Sequence, residues 1–477
     1  MIIRSSAFHQ TFRDGQFPVR FLGRLNHEYG YPVSTFLYPG FLYLAEPLRL
    51  LKFDEIESIK IILGASMLLS GVFFYLWLRK FFDKFAAFVG AIVYVYAPYH
   101  LYDLIKRGSV GELLALVLAP FVLWQIERKN LVWSSLGIGL LLLSHNTLGI
   151  LFGGFIFCYL LLDISIAKKK DFKRFLPLLF GFGLSAFFWI PALYELQFTI
   201  FSQTAIANWQ DYFAPMSLLG YATFVVLLLT GILIVTKKIG IKKHRLTLLI
   251  LLFCLGSLFL ATPLSFSLWK VLPVGFVQFP FRFLSITILC IGFLAACNVS
   301  LFHSKQKIAV GMLIVGSLIF SSYPFLVTKP QFQPYKDAGY YFANEATTTV
   351  QDEYLPVWVK EKSFGRAENK VEIVKGRGKI ESLISQSNSS SFIVKADTET
   401  QVRINTIYWP GWQITVDGKL SKISYNNPKG LMELAVPKGK HYVEISFEET
   451  PLRLFSDGIS LFSLFALLSI AFVKKKK

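Results

Sequence analysis

The chain has 477 residues, of which 54% are hydrophobic, 16% aromatic and only 17% charged; a typical soluble domain carries about 25% charged residues. Mean hydropathy is +0.51, and apolar runs of about twenty residues recur, each long enough to cross about 30 Å of hydrocarbon as a helix. This composition excludes an ordinary cytosolic enzyme, and solid apolar blocks in place of about ten-residue alternating stretches exclude an outer-membrane barrel.

Hydropathy read in chain order predicts about eleven spans, near 58–78, 83–98, 112–126, 131–145, 147–163, 174–194, 216–236, 246–262, 281–299, 308–327 and 453–473. The pair 131–145 and 147–163 is short and reads equally as one broken hairpin around Ser144, His145 and Asn146. The net charge of +19 lies mostly in alternate loops, at Arg79, Lys80 and Lys84, at Arg128 and Lys129, at Lys168 to Arg174, at Lys237 to Arg245, at Lys305 and Lys307, and at Lys474 to Lys477. The opposite short loops carry only Lys106, Arg107, Lys270 and Arg282. The positive-inside rule accounts for such a distribution and leaves nothing for a nucleic-acid partner to explain. It places the C-terminal lysines in the cytoplasm of a multi-pass inner-membrane protein, with residues 1–57 and 328–450 outside.

Residues 1–57 read as an extracytoplasmic N-terminal loop with interfacial helices in 33–51, interrupted by Pro39, Glu46 and Pro47. Because this polar stretch precedes the first span without a signal-peptide pattern, a further N-terminal helix is expected ahead of it. Residues 58–327 form the multi-span domain. From 328 to 450 the period changes to two, as in 392–396, 402–409, 412–416 and 441–447, and predicts an extracytoplasmic β-sandwich. Asp417-Gly418 and Asn427-Pro428-Lys429-Gly430 mark turns, and the serine-rich 385–391 marks a flexible connection. Residues 451–477 supply the last helix and a basic tail. Cys158, Cys254, Cys290 and Cys297 fall inside apolar spans and read as small buried hydrophobes.

Ionisable residues at the outer ends of spans are the candidates for chemistry, since burying them is costly. His100, Asp103, Lys106, Arg107 and Glu112 lie within one expected outward loop. There Lys106 and Arg107 could hold a phosphate while a carboxylate faces an incoming hydroxyl; the charges could equally pair among themselves, with Glu112 capping the next helix. A second cluster holds Asp14, Arg20, Arg24, His27 and Glu28; a scattered third includes His145, Glu195 and Arg282, the last positioned to meet an anionic headgroup. No phosphate-binding glycine loop, HExxH or CxxC occurs.

Five runs taken together, RDGQFPVRFLGRLNHEYGYP from Arg13, 96–124, LLLSHN at 141–146, FFWIPALYE at 187–195 and VQFPFRFL at 277–284, resemble the bacterial multi-span proteins labelled pyruvoyl-tetrahydropterin-synthase-related. Those proteins look like membrane glycosyltransferases of the GT-C fold. The segment 408–419 and the stretch 425–441 resemble the C-terminal part of YfhO-type envelope proteins. The resemblance implies a polytopic α-helical, GT-C-like protein that moves a sugar from a polyprenyl-phosphate donor to an envelope glycan, polymer or lipid on the outer face of the membrane. It implies a carboxylate base, Asp103 or Glu112, with Asp14 and Glu28 as second choices. Phosphate would be held by Arg107, Lys106, His100, His145 and Arg282. Trp409, Trp412 and Tyr425 could receive the acceptor glycan or form sandwich core. A divalent cation is possible, without a sequence signature of its own. The resemblance also leads one to expect an Asp beside a leading His ahead of the 3–16 segment, and the sequence does not show it. The competing readings are a lipid-linked glycan flippase or transporter, or an envelope scaffold; ionisable residues gathered at span ends rather than mid-span favour surface chemistry.

Overall fold

The computed structural model describes residues 1–166, 171–204, 208–240, 244–271, 277–329, 338–349 and 351–475. The chain forms two compact units: Met1–Ser58 with Ala186–Ala205 and Pro334–Ser460, and Ile59–Ser185 with Ile206–Gln333 and Leu461–Lys477. The segments 1–57 and 334–450, separate on sequence grounds, thus share one unit.

Within the first unit the described residues form eight strands in two antiparallel sheets. They are β1 (Val371–Lys375), β2 (Gly378–Ser385), β3 (Ser389–Ala396), β4 (Thr400–Ile407), β5 (Trp412–Val416), β6 (Lys419–Ser421), β7 (Leu431–Val436) and β8 (Gly439–Phe447). One sheet has the order β1-β4-β7, the other β2-β3-β8-β5-β6. The sandwich-like core between them comes from alternate residues of the strands, among them Phe392, Val394, Val402, Ile414, Val436 and Val443, all fully buried. Asp417 (φ 50°) and Gly418 (φ 77°) make the left-handed two-residue turn that joins β5 to β6. The serines of 385–391 depart from the expected loose connection. Ser385 ends β2, Ser389–Ser391 pair with β8, and the turn between them is held by Ser387, whose backbone N–H donates to Asp14 Oδ2 at 3.0 Å.

The N-terminal segment packs into the same unit. Helices Ile2–Arg13 and Gly40–Leu50 flank a turn-rich stretch in which Gln16 Oε1 accepts from the backbone of Arg20 and Phe21. Asn26, His27 and Glu28 all adopt positive φ, an arrangement that costs L-residues about 1 kcal/mol or more apiece. Neighbours hold it in place: His27 N donates to Glu345 O, Lys370 Nζ to Glu28 O and Ile407 N to Tyr29 O. Buried and half-buried ion pairs anchor the unit further. Arg453 reaches Glu195 with two nitrogens at 2.7 and 2.8 Å, and Arg20 reaches Glu449 and Asp457 at 3.0 and 2.9 Å.

The second unit is helical. Six helices in the described residues are long and apolar enough to cross a membrane, and ten segments qualify if each bent helix pair is one span. The eleven expected spans depart from this where the chain breaks. Lys84–Val95 and Pro98–Arg107 meet at 46°, because Pro98 lacks the N–H that would continue the helix. The expected span 216–236 breaks at Gly220, whose φ of 72° admits a 71° bend; 174–194 breaks at Ser185. Leu131–Ser144 is a shorter apolar helix, separated from Asn146–Ile166 by His145 in extended conformation. The buried helix Leu284–Ser300 lies at the centre, packed on Lys84–Val95 so closely that a Cβ on Gly90 would sit 2.5 Å from Gly292 O. Tyr94 stacks on Phe74 and donates to Leu116 O at 2.6 Å, which ties these helices to Val110–Glu127. The cysteines are free thiols; Cys254, Cys290 and Cys297 are buried.

Candidate functional site: a buried carboxylate and arginine cluster

The segment 100–112 is helical rather than an open loop. After Pro98–Leu101 the chain widens into a π-helical turn, Tyr102–Arg107, which ends at Gly108 in the left-handed region and hands over to Val110–Glu127. The wider turn carries Asp103 and Arg107 on one side, and the reversal at Gly108 brings Glu112, in the first turn of the next helix, back to the same place. Insertions of this kind recur at functional sites.

Glu112 and Asp103 are both fully buried. Glu112 Oε2 accepts from Tyr99 Oη at 2.8 Å and pairs with Arg107 Nη1 at 2.7 Å; Oε1 accepts from Arg282 Nε at 3.1 Å, and His145 Nε2 stands 3.5 Å away. The same Nη1 of Arg107 donates to Asp103 Oδ1 at 2.5 Å. His145 Nδ1 accepts the backbone N–H of Leu148, 3.2 Å away at the start of the next helix. That bond assigns the proton to Nε2, so a neutral imidazole turns its N–H toward Glu112.

Two carboxylates therefore face two guanidinium groups, the balance that a buried cluster requires. Arg282 is also braced by Val277 O at 2.9 Å and Gln278 Oε1 at 3.1 Å. The rings of Phe279 and Phe281 stack with an interplanar angle of 5°, and each faces a guanidinium, Arg282 over Phe279 at 4.7 Å and Arg107 over Phe281 at 5.0 Å. Planar, aromatic-faced guanidinium groups of this kind suit bidentate binding of phosphate better than lysine would.

The carboxylates differ in what they have left to offer. Glu112 is surrounded by four donors and serves as the anchor that holds both arginines. Asp103 spends Oδ1 on Arg107, whereas its buried Oδ2 has no hydrogen-bond partner among the described residues. That buried acceptor without a donor makes Asp103 the less committed of the two carboxylates.

Of the sequence-derived candidates, the structure brings Asp103, Glu112, Arg107, Arg282 and His145 together. His100 is fully buried, with Nδ1 3.1 Å from Tyr94 O and its ring edge-on to Tyr94, and is not among the groups bonded to Glu112. Lys106 is exposed on the π-helical turn and bonds to neither carboxylate. Asp14 and Glu28 belong to the first unit, where Asp14 holds the Ser387 turn and Glu28 pairs with Arg366 at 3.0 Å. Trp409 is core: it is fully buried, its indole N–H donates to Glu195 at 3.2 Å, and it offers no open face to a glycan. Trp412 packs edge-to-face with Phe21 and Phe447, while Tyr425 stacks on Tyr408 with centroids 4.2 Å apart. Among the described residues no group of three or more His, Cys, Asp or Glu is placed to hold a metal ion, and the site carboxylates are engaged by arginine. Tyr99 escaped the sequence reading; the only signal for it was its place within YHLYD, beside residues already singled out.

Apolar helices of spanning length around a charge-balanced buried cluster define a polytopic membrane protein with an ionised site in its helical unit. The chain belongs to the 6-pyruvoyl-tetrahydropterin synthase related domain family of membrane proteins, whose family model matches residues 37–327. No protein of curated function matches the sequence. Among solved structures, the chain is similar to the oligosaccharyltransferase of Archaeoglobus fulgidus in its apo form, at 13% identity and a TM-score of 0.45 over 72% of this chain and 52% of that one. The same archaeal enzyme, AglB, in complex with an inhibitory peptide and a dolichol-phosphate, aligns at 12% identity and a TM-score of 0.39 over 73% of this chain. The chain thus spans about half the length of the archaeal enzyme.

Proposed function

We propose that this protein is a membrane glycosyltransferase that moves a sugar from a polyprenyl-phosphate donor to an envelope glycan, polymer or lipid on the outer face of the bacterial inner membrane, with its C-terminus in the cytoplasm. The observation that carries the reading is that one buried cluster holds Asp103, whose Oδ2 has no donor among the described residues, together with two aromatic-faced arginines. Transfer to a hydroxyl acceptor needs one base and a cationic cradle for the leaving phosphate, and no second acid, because phosphate leaves readily as an anion. In this scheme the acceptor oxygen attacks the anomeric carbon and the bond from that carbon to the phosphate oxygen breaks with inversion. Asp103 takes the acceptor proton, and the electron pair leaves on the polyprenyl phosphate between Arg107 and Arg282. Glu112, Tyr99 and His145 position the arginines.

The test is consumption of radiolabelled polyprenyl-phosphate sugar by membranes containing the protein, compared at matched expression with Asp103→Asn and Glu112→Gln. Loss of the base is expected to lower kcat by a factor of about 100 or more with little change in KM. Glu112→Gln, which loosens both arginines, is expected to raise KM as well. Absence of turnover by the unaltered protein across polyprenyl-phosphate sugars would overturn the proposal in favour of a flippase or scaffold.

A further inference from the structure

A polar cavity lies wholly within the first unit, and nothing in the transfer chemistry uses it. It encloses about 430 Å³ between the N-terminal segment, the helix Ala338–Ala343 and the β-sandwich, within the range of small-molecule sites. Its lining places three cations, Arg24, Arg366 and Lys370, against one carboxylate, Glu28. Arg366 is engaged by Glu28. Arg24 forms no ion pair among the described residues, and its guanidinium lies over the Phe342 ring at 4.8 Å. It is 7% exposed and spends Nη2 on Ser6 Oγ at 3.0 Å and two longer backbone contacts, while its Nε and Nη1 are buried with no partner among the described residues.

Two further lining groups are in the same condition: the indole N–H of Trp412, also 7% exposed, and the hydroxyl of Ser387. Buried donors are normally satisfied, and leaving one unpaired costs about 1–3 kcal/mol. Three such groups on one cavity wall, one of them a guanidinium, call for a polar and negatively charged occupant. Lys370 adds to the demand, since burial pushes its ammonium down to about 8 while Nζ donates to Glu28 O and Asn405 O at 2.6 and 3.2 Å. The remaining wall is mixed. Ser390, Thr406 and Gln386 bring hydroxyl and amide groups, while Ile404, Met432 and Ile445 bring an apolar patch. A bare inorganic anion would leave that patch and much of the volume unused. A sugar ring, with C–H faces and hydroxyl edges, matches both.

We propose that this cavity binds an anionic sugar residue, its carboxylate or phosphate held by Arg24 and Lys370 and its hydroxyls by Ser387, Ser390 and Thr406. The proposal does not rest on the transfer reaction above: the cavity lies in the other unit, and occupancy is read without turnover.

Calorimetric titration of the full chain in detergent with D-glucuronate, glucose 1-phosphate, glucose and inorganic phosphate tests it. Binding of at least one anionic sugar, ten times or more tighter than glucose and than inorganic phosphate, is the expected result, and the tighter of the two anionic sugars identifies the acidic group. Arg24→Gln is expected to weaken that binding at least tenfold. Because Arg24 is buried and its variant could fold poorly, a second readout uses the unaltered protein: acylation of Lys370, mapped by mass spectrometry, slows in the presence of the anionic sugar and is unaffected by glucose. Equal affinity for glucose, inorganic phosphate binding as tightly as the sugars, or unprotected Lys370 at saturating anionic sugar would each overturn the assignment.

Discussion

Replacement of Glu112 by Gln probes the cluster most directly. Glu112 is fully buried and, among the described residues, is the only carboxylate bonded to both Arg107 and Arg282, while Asp103 bonds Arg107. Gln conserves the volume and one acceptor oxygen but removes the charge, which leaves two guanidinium groups sharing one carboxylate. Removing one partner of a buried pair costs about 3–5 kcal/mol. The amide oxygen still accepts one bond, so the cost falls at the lower end, about 3 kcal/mol. Arg282→Met alone strands Glu112 with one arginine and destabilises by a similar amount. The double variant restores a balance of one arginine to one carboxylate, so its loss is expected to be smaller than the sum of the single losses by about 1–3 kcal/mol. Denaturant titration of the detergent-solubilised protein, followed by the fluorescence of its tryptophans, measures all three. Strict additivity would show that Glu112 and Arg282 do not act as a unit, and the argument for Glu112 as anchor would fall.

Arg453→Met, which leaves Glu195 buried and unpaired, should make the first unit susceptible to proteolysis through a loss of about 3–5 kcal/mol. Trp409→Phe, which removes the indole bond to Glu195 and leaves part of the buried ring volume unfilled, should cost at least about 1–3 kcal/mol in the same assay. The exposed pair of Asp417 and His441 offers a pH test. The hydrogen bond between them holds the Asp417 carboxyl below 3.8 and the His441 imidazole above 6.5. Its contribution is fully present between those two values, lost as pH falls through the depressed Asp417 value, and lost again as pH rises through the raised His441 value. Asp417→Asn should return His441 toward 6.5, as read by NMR titration. Lys370 has the opposite sign: its folded value of about 8 lies below 10.5, so the unfolded chain binds more protons between those limits and stability rises with pH across them. Lys370→Met should flatten that rise, measured by denaturant midpoints at pH 7 and pH 10.

The sequence disclosed much of this architecture where a single period dominates. The strands at 392–396 and 412–416 emerged with nearly the expected limits because alternate residues face a core, and the long spans emerged because their apolar runs are unbroken. Breaks within apolar runs were less legible. Gly220 and Ser185 interrupt helices without changing hydropathy, so the spans around them read as continuous. The segment 100–112 read as a loop because its charges outweigh its helical spacing; only the helical turns show that those charges point inward at one another. Asp103, Arg107 and Glu112 could be selected from local sequence, whereas the partnership of Glu112 with Arg282 spans 170 residues and has no local signature. Trp409 illustrates a further limit: aromatic type marks both glycan platforms and cores, and only its complete burial identifies it as core.

The first unit is assembled from three stretches of chain, and this has a consequence for its biosynthesis. Arg20 meets Glu449 across 429 residues of sequence, which a ribosome working at about 5–20 residues per second takes about 20–90 s to supply. Throughout that interval the N-terminal segment has neither the sandwich that covers Phe21 nor the carboxylates that neutralise its arginine. Loop-closure entropy for so distant a contact must be met before any of its bonds forms. The unit therefore completes only after most of the helical unit has been synthesised, and premature release of the chain before β8 leaves an N-terminal segment with no structure to join.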